Sequence, residues 1–233
     1  VRIALCLSGQ PRGLLKASEY VKRNLLSRED VDYDVDVFCH TWDDGSLVEK
    51  VYLPTHLGVT QSSFMKIGGD YNTRDPVNHP ARNTFCFYYS LYCADMFRRH
   101  EEQNGGFTYD VVIRSRYDYA IARPLVFSEF NLDYLWTPQV KITMPSGFLC
   151  TDQFAFSNSS NMSIYSEVYP NMMNYHDTGT IVNGEDMLAR HLRESQISDR
   201  VSYIDMWDPF IGGRYNYGPH SLVRDDMQDW TTK

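Results

Sequence analysis

"RIALCLSGQPRG" (residues 2–13) holds the first decision about the fold. Ile3 to Leu7 are apolar without a break, and the run closes on Gly9, Pro11 and Gly13. A short uninterrupted apolar run bounded by turn residues reads as a strand buried on both faces, the kind that fills parallel sheets. Leu14, Ala17, Val21 and Leu25 then recur at helical spacing, which predicts a helix from about Leu14 to Leu26. In "DYDVDVFCHTW" (32–42), Val35, Val37 and Cys39 alternate, predicting a second strand. Strand, helix, strand is the opening of a layered α/β fold.

The rest of the chain extends that pattern. Residues 43–80 read as loop, with Pro54, Gly58, Gly68, Gly69, Pro76 and Pro80 and one short strand near Phe64 to Ile67. Long irregular segments of this kind are often binding loops or lids. Asn83 to Glu102 is the clearest helix: Phe85, Tyr88, Tyr92 and Met96 share a face, and the glycines of "QNGG" (103–106) suit its C-terminal cap. A strand follows at about Tyr109 to Arg116, and "GFLCTDQFAFS" (147–157) reads as another. Ser160 to Met173 reads as a helix, and "NGEDMLARHLRES" (183–195) as a shorter one with Asn183 as its N-cap. "VSYIDMW" (201–207) is a last strand, and the Gly- and aromatic-rich tail from Asp208 reads as loop.

Composition bounds the class. A chain of 233 residues can bury a full core and reads as one domain over 1–233. Its "WTTK" end and missing initiator Met suggest a domain trimmed from a longer chain. Net charge is −8 and no Lys/Arg block stands out, so the electrostatic footprint of a nucleic-acid binder is not visible. Seventeen Tyr, twelve Phe and four Trp leave aromatics for sugar contacts after the core has taken most of them. Five scattered cysteines without a CxxC pair predict a reducing compartment, no disulfide framework and no zinc site. The N-x-S tripeptides at Asn158 and Asn161 have no use in such a compartment. No apolar stretch reaches membrane-spanning length.

Six places carry candidate chemistry. Ser8, Gly9, Gln10 and Arg12 lie at the carboxyl end of the first strand, where open α/β sheets bind ligands. There Gly9 permits close backbone approach and Arg12 can grip a phosphate, although the stretch reads equally as an ordinary tight turn. His40, Thr41 and Trp42 end the second strand and can bracket a base or ribose, with a structural histidine as the plainer reading. In "RSRYDY" (114–119), alternation puts Arg114, Arg116 and Asp118 on one side. Two arginines and a carboxylate suit a diphosphate with a metal or sugar hydroxyl; an internal salt-bridge network is the rival, and burial makes that rival costly. Glu185 and Asp186 sit in the first turn of a helix, where the macrodipole keeps carboxylates ionised and able to accept a proton. Asp152 lies among apolar residues and needs a partner. His220 stands alone in the tail.

In order along the chain, "SGQPR" (8–12), "DVFCHTW" (36–42) and "RSRYD" (114–118) resemble the GT-A class of nucleotide-sugar glycosyltransferases. The likeness is closest to small cytosolic enzymes of large DNA viruses, phages and bacterial polysaccharide loci. It touches residues 2 to about 195. It implies a Rossmann-type, mixed but mostly parallel sheet flanked by helices, and a cytoplasmic location (the host cytoplasm for a viral member). A nucleotide-sugar donor, UDP by class frequency, and a glycan acceptor are implied as partners. The class holds Mn2+ or Mg2+ with an Asp-x-Asp; here Arg116-Tyr117-Asp118 stands in that place, so Arg116 replaces the first acid and puts metal dependence in question. Asp118 and His220 are the implied metal ligands. Gly184-Glu185-Asp186 matches the class's acidic helix start, so Asp186, Glu185 or Asp152 is the implied base of an inverting transfer. Ser8, Gly9, Gln10, Arg12, His40, Thr41, Trp42, Asn83, Arg114, Arg116 and Asp118 form the implied donor site. Two rivals stay open: a glycoside hydrolase with Asp152 and Asp186 as paired carboxylates, and a non-catalytic glycan-binding module.

Overall fold

The structure, a computed structural model, describes residues 1–9, 11, 13–41, 56–57, 81–138 and 151–204. Gln10, Arg12, Trp42, Cys150 and His220 lie outside the described residues, as do the strand expected near Phe64 to Ile67 and the tail from Asp208.

Seven strands among the described residues form one mixed sheet in the order β3-β2-β1-β4-β6-β5-β7. They are β1 (Arg2–Ser8), β2 (Asp34–His40), β3 (His56–Leu57), β4 (Val111–Arg116), β5 (Leu135–Pro138), β6 (Phe154–Ser157) and β7 (Val201–Ile204). β1 pairs in parallel with β2 and β4, and β2 with β3. β6 runs antiparallel to β4 and β5, and β5 runs parallel to β7. The fold is therefore α/β with a Rossmann-like half, in which the chain winds outward from β1 through β2 and then crosses to β4 on its other side. That reversal creates a crevice at the carboxyl ends of β1 and β4, the place where open α/β sheets take ligands.

Each face of the sheet carries its own core. Odd positions of β1 and β4 (Ile3, Leu5, Leu7, Val111, Ile113) pack with Leu14, Val21 and Leu25 of the first helical segment. Even positions (Ala4, Cys6, Val112) pack under the long helix and the later helices. The first segment is α1 (Leu14–Val21), which continues into a π-type turn over Lys22–Leu26, closed by Ser27 N–H donating to the Lys22 carbonyl at 2.7 Å. Inside that turn, Asn24 Nδ2 donates to the Ile121 carbonyl at 2.5 Å and ties the helix to the chain beyond β4. The long helix is α2 (Ala81–Gly105), one turn longer at its C-terminal end than its apolar stripe suggests.

Three expectations change. The helix expected over Ser160 to Met173 is two helices, α3 (Ser159–Ser166) and α4 (Val168–Asp177), broken at Glu167. Pro170 explains the break: it lacks an N–H and its ring would strike the carbonyl four residues back, so it is tolerated only in the first turn of a new helix. Of the strand expected over 147–157, residues 147–150 lie outside the described residues and Phe154–Ser157 forms β6, so Asp152 lies in a bend just before that strand. β5 has no counterpart in the sequence reading, because four residues ending in a proline carry no period to detect. The final helix, α5 (Gly184–Glu194), starts as expected on Asn183.

The described cysteines, Cys6, Cys39, Cys86 and Cys93, are free thiols. Burial pushes Cys39 up to about 12, opposed by Tyr117, so it packs as a neutral hydrophobe. Of the two N-x-S asparagines, Asn158 caps α3 through Asn161 N–H (2.9 Å), and Asn161 is buried on Ser157 and the Asp133 carbonyl.

A buried ion-pair cluster locks α2 to α3. Arg98, fully buried, donates to Asp95 (2.7 and 2.8 Å), Glu102 (2.6 Å), Ser159 (2.5 Å) and Ser163 (2.7 Å). Removing one partner strands the others without water. Arg98→Met is expected to lower unfolding free energy by about 3–5 kcal/mol, read by urea denaturation, whereas the pair Arg28–Asp30, whose carboxylate is 68% exposed, contributes far less.

Candidate functional site

The site is built at the carboxyl ends of β1, β2 and β4, where Ser8 sits in register with His40 on one side and Arg116 on the other. The turn after β1 needs its glycine: Gly9 has φ 108°, a conformation that side-chain-bearing residues rarely adopt. Helix α2 clamps this turn to the end of β2. Ser90 Oγ accepts from Gly9 N–H (2.9 Å), donates to the His40 carbonyl (3.0 Å) and lies 2.8 Å from His40 Nδ1. Thr41 Oγ1 donates to the Gly9 carbonyl (2.9 Å), closing the ring of contacts. Since Ser90 has one proton, the assignment that satisfies every group places a proton on His40 Nδ1. Burial pushes His40 from 6.5 down to about 4, so the ring is neutral. His40 and Thr41 thus hold two loops in place. Ser8 Oγ, also buried, has no hydrogen-bond partner among the described residues.

β4 brings charge to the same place. Arg116 grips Asp118 with two bonds, Nε to Oδ1 and Nη2 to Oδ2, both 2.7 Å. Asp118 is fully buried, while the Arg116 side chain keeps 20% exposure. Burial works against the Arg116 charge, but Asp118, Asp152 and Glu185 more than offset it and raise its pKa. Arg114 is buried outright: Nη1 donates to the Gln153 carbonyl, the guanidinium lies 4.8 Å from the Phe87 ring centroid, and Nε and Nη2 have no hydrogen-bond partner among the described residues. Burial lowers its pKa, opposed by Tyr165 and Asp152, although an arginine remains charged.

The acids come from two segments. Arg114 holds the carbonyl next to Asp152, and the Asp152 carboxylate presses on Gly184, where a side chain would collide with it. Tyr88 Oη donates to the Gly184 carbonyl, fixing the start of α5 against α2. The next residue, Glu185, is pushed from 4.5 up to about 7, chiefly by the Asp152 charge, then by burial and Asp186. Backbone hydrogen bonding at the helix start and Arg116 pull the other way.

Asp186 has a different task. Asn183 Oδ1 accepts from Asp186 N–H and Asn183 Nδ2 donates to Asp186 Oδ2, both at 2.7 Å, a reciprocal cap of the helix start. The two neighbouring acids therefore part: Glu185 belongs with Asp152 and Arg116, and Asp186 with the cap. Asn83 is exposed in the first turn of α2. Of the sequence candidates, Ser8, Gly9, Arg114, Arg116, Asp118, Asp152 and Glu185 gather at the crevice. Ser90 and Phe87 were not singled out from the sequence, Tyr88 entered only through its helix stripe and Gly184 only through the acidic helix-start match. The periodicity of α2 marks Tyr88 as inward-facing, but nothing local marks Ser90 as the clamp of two loops 50 and 81 residues away.

Two outcomes follow. The unfolded chain binds a proton at His40 between about 4 and 6.5 that the folded chain refuses, so stability falls as pH drops through that window. His40→Asn is expected to remove that component, visible as a flatter pH series of urea midpoints. In Asp152→Asn, Glu185 is expected to titrate lower, back toward 4.5, in an NMR carboxyl titration. No protein-family model matches the chain and no curated protein matches it, so the chemistry of the site is read from its own residues.

Proposed function

We propose that the chain is a GT-A-like glycosyltransferase that moves a sugar from a nucleotide-sugar donor, UDP first among candidates, to a glycan hydroxyl with inversion. One observation carries the reading. A cationic, partly exposed Arg116 faces a carboxylic acid, Glu185, whose pKa is held near 7, at the crevice between β1 and β4. Transfer needs both parts: positive charge for the departing diphosphate and a base matched to neutral pH for the acceptor.

In this mechanism Glu185 takes the proton of the acceptor hydroxyl as its oxygen attacks the anomeric carbon. The bond from that carbon to the donor phosphate breaks on the opposite face, and its electron pair leaves with the nucleoside diphosphate. Arg116 stabilises the charge that develops there. The Ser8 hydroxyl, buried and without a hydrogen-bond partner among the described residues, lies beside Arg116 in register and is proposed to meet a donor oxygen. Arg114 acts at one remove, fixing the segment that carries Asp152.

The resemblance implies Mn2+ or Mg2+ on Asp118. Asp118 does not fit that task in this arrangement, because both its oxygens are held by Arg116. Arg116 is proposed to supply the charge that the metal would. A hydrolase reading has one observation in its favour, the adjacency of Asp152 and Glu185 with one acid raised by the other, as in paired-carboxylate sites.

A thermal-shift screen with UDP, GDP, CMP and dTDP, with and without manganese, tests the reading. Stabilisation by UDP that manganese leaves unchanged, and that Arg116→Ala removes, is expected. The absence of a shift with every nucleotide, together with glycan hydrolysis in their absence, would establish the hydrolase instead. Transfer is expected to rise with pH through about 7 as Glu185 ionises, and to fall by about 10²–10⁴-fold in Glu185→Gln.

A further inference from the structure

Helix α5 has a second charged face that the proposed mechanism does not use. Asp186, Arg190 and Arg193 follow one another at helical spacing, four and then three residues apart. Together with Thr178, Gly179, Thr180 and Ile181 from the turn before the helix, they line an open cavity of about 190 Å³. The wall opposite the helix is a rigid turn: Gly179 has φ 96°, its N–H donates to the His176 carbonyl (2.9 Å), and Thr180 N–H donates to the Tyr175 carbonyl (2.9 Å).

The polar groups in this cavity have unequal commitments. Arg190 Nε lies 2.7 Å from Glu194 Oε1, but without the alignment of a hydrogen bond. Arg193 makes no ion pair among the described residues. Asp186 Oδ2 is taken by Asn183, while Oδ1 accepts nothing among them. The lining therefore offers guanidinium donors along one side and a carboxylate acceptor at the end nearest Glu185. Guanidinium groups grip carboxylates and phosphates alike, often with two bonds, and the Asp186 charge in the same lining favours the singly charged carboxylate. A carboxylate oxygen favours a hydroxyl donor. The volume is below the about 300–1,000 Å³ of pockets that enclose drug-sized ligands, which suits a single ring.

We infer that this cavity is a subsite for an acidic monosaccharide unit, a uronate-type sugar, whose carboxylate meets Arg193 and Arg190 and whose hydroxyl meets Asp186. Resting on the transferase reading, it assigns the acceptor class: a glycan with an acidic residue next to the hydroxyl that reacts at Glu185. Asp186 and Glu185 are consecutive at the start of α5, so an acceptor seated against Asp186 reaches Glu185 by passing around the helix start.

The test is an NMR titration of the folded protein with glucuronate, glucose and inorganic phosphate, following the amides of residues 178–193, with UDP titrated separately. Glucuronate is expected to shift these amides, glucose to bind at least tenfold more weakly, and Arg193→Gln to weaken glucuronate at least tenfold while leaving UDP unaffected. Arg190→Gln is the second variant and is expected to weaken glucuronate in the same direction. Equal binding of glucose and glucuronate, or unchanged glucuronate affinity in both variants, overturns the inference. Phosphate binding as tightly as glucuronate also overturns it, by showing a site for any anion. UDP binding without glucuronate binding sinks the subsite and leaves the transferase reading standing. Glucuronate binding without any nucleotide binding sinks the transferase reading and leaves the subsite.

Discussion

Burying arginine is the constraint on which the rest of this structure turns. β4 places Arg114 and Arg116 on the face of the sheet covered by α2, and a guanidinium removed from water without partners costs several kcal/mol. The surroundings answer that demand. Asp118 takes Arg116 with both oxygens, the Gln153 carbonyl takes one donor of Arg114, and the face of Phe87 lies over the same group. The acids gathered around this charge then crowd one another. Glu185 is raised because Asp152 is close, and Asp152 is close because Arg114 holds the neighbouring carbonyl while Gly184 leaves room for its carboxylate. An acid matched to neutral pH is thus a consequence of how the strand end is neutralised.

The two charge clusters that pack along α2, one at Phe87 and one at Arg98, make an instructive contrast. Around Arg98 the donors are met by Asp95, Glu102, Ser159 and Ser163, a closed network that cements two helices. Around Arg114 and Ser8, buried donors are left over among the described residues. Closed networks rigidify; leftover buried valences in a native fold call for an explanation, and ligand binding is a common one. The leftovers lie at the crevice where the winding of the sheet reverses, next to loops fixed by Ser90 and His40.

Much of the scaffold was legible because its signals are local. The unbroken run Ile3 to Leu7, the spacing of Leu14 to Leu25 and the cap at Asn183 depend on a few neighbouring residues, and each forms the expected element. The break at Glu167 was also local, written in Pro170, but the apolar spacing of Met162 to Met172 on either side concealed it. β5 was not legible, since Leu135–Pro138 becomes a strand only by pairing with β6 and β7. The candidate site divides the same way. Arg114, Arg116 and Asp118 stood out as charges at the end of an apolar run. Ser90 looked like any hydroxyl on a helix.

The sequence alone determined which residues could carry charge and roughly where along the chain: arginines closing one strand, adjacent acids opening one helix, a glycine turn after the first strand. Spacing within an element is set by its own geometry, so these placements needed no tertiary information. Only the tertiary structure decided partnership. Glu185 and Asp186 are consecutive and chemically alike, yet the helix turns them about 100° apart. One faces Asp152 and Arg116 and the other closes a cap with Asn183. That choice depends on segments more than thirty residues apart meeting at α5, and no reading of local pattern contains it.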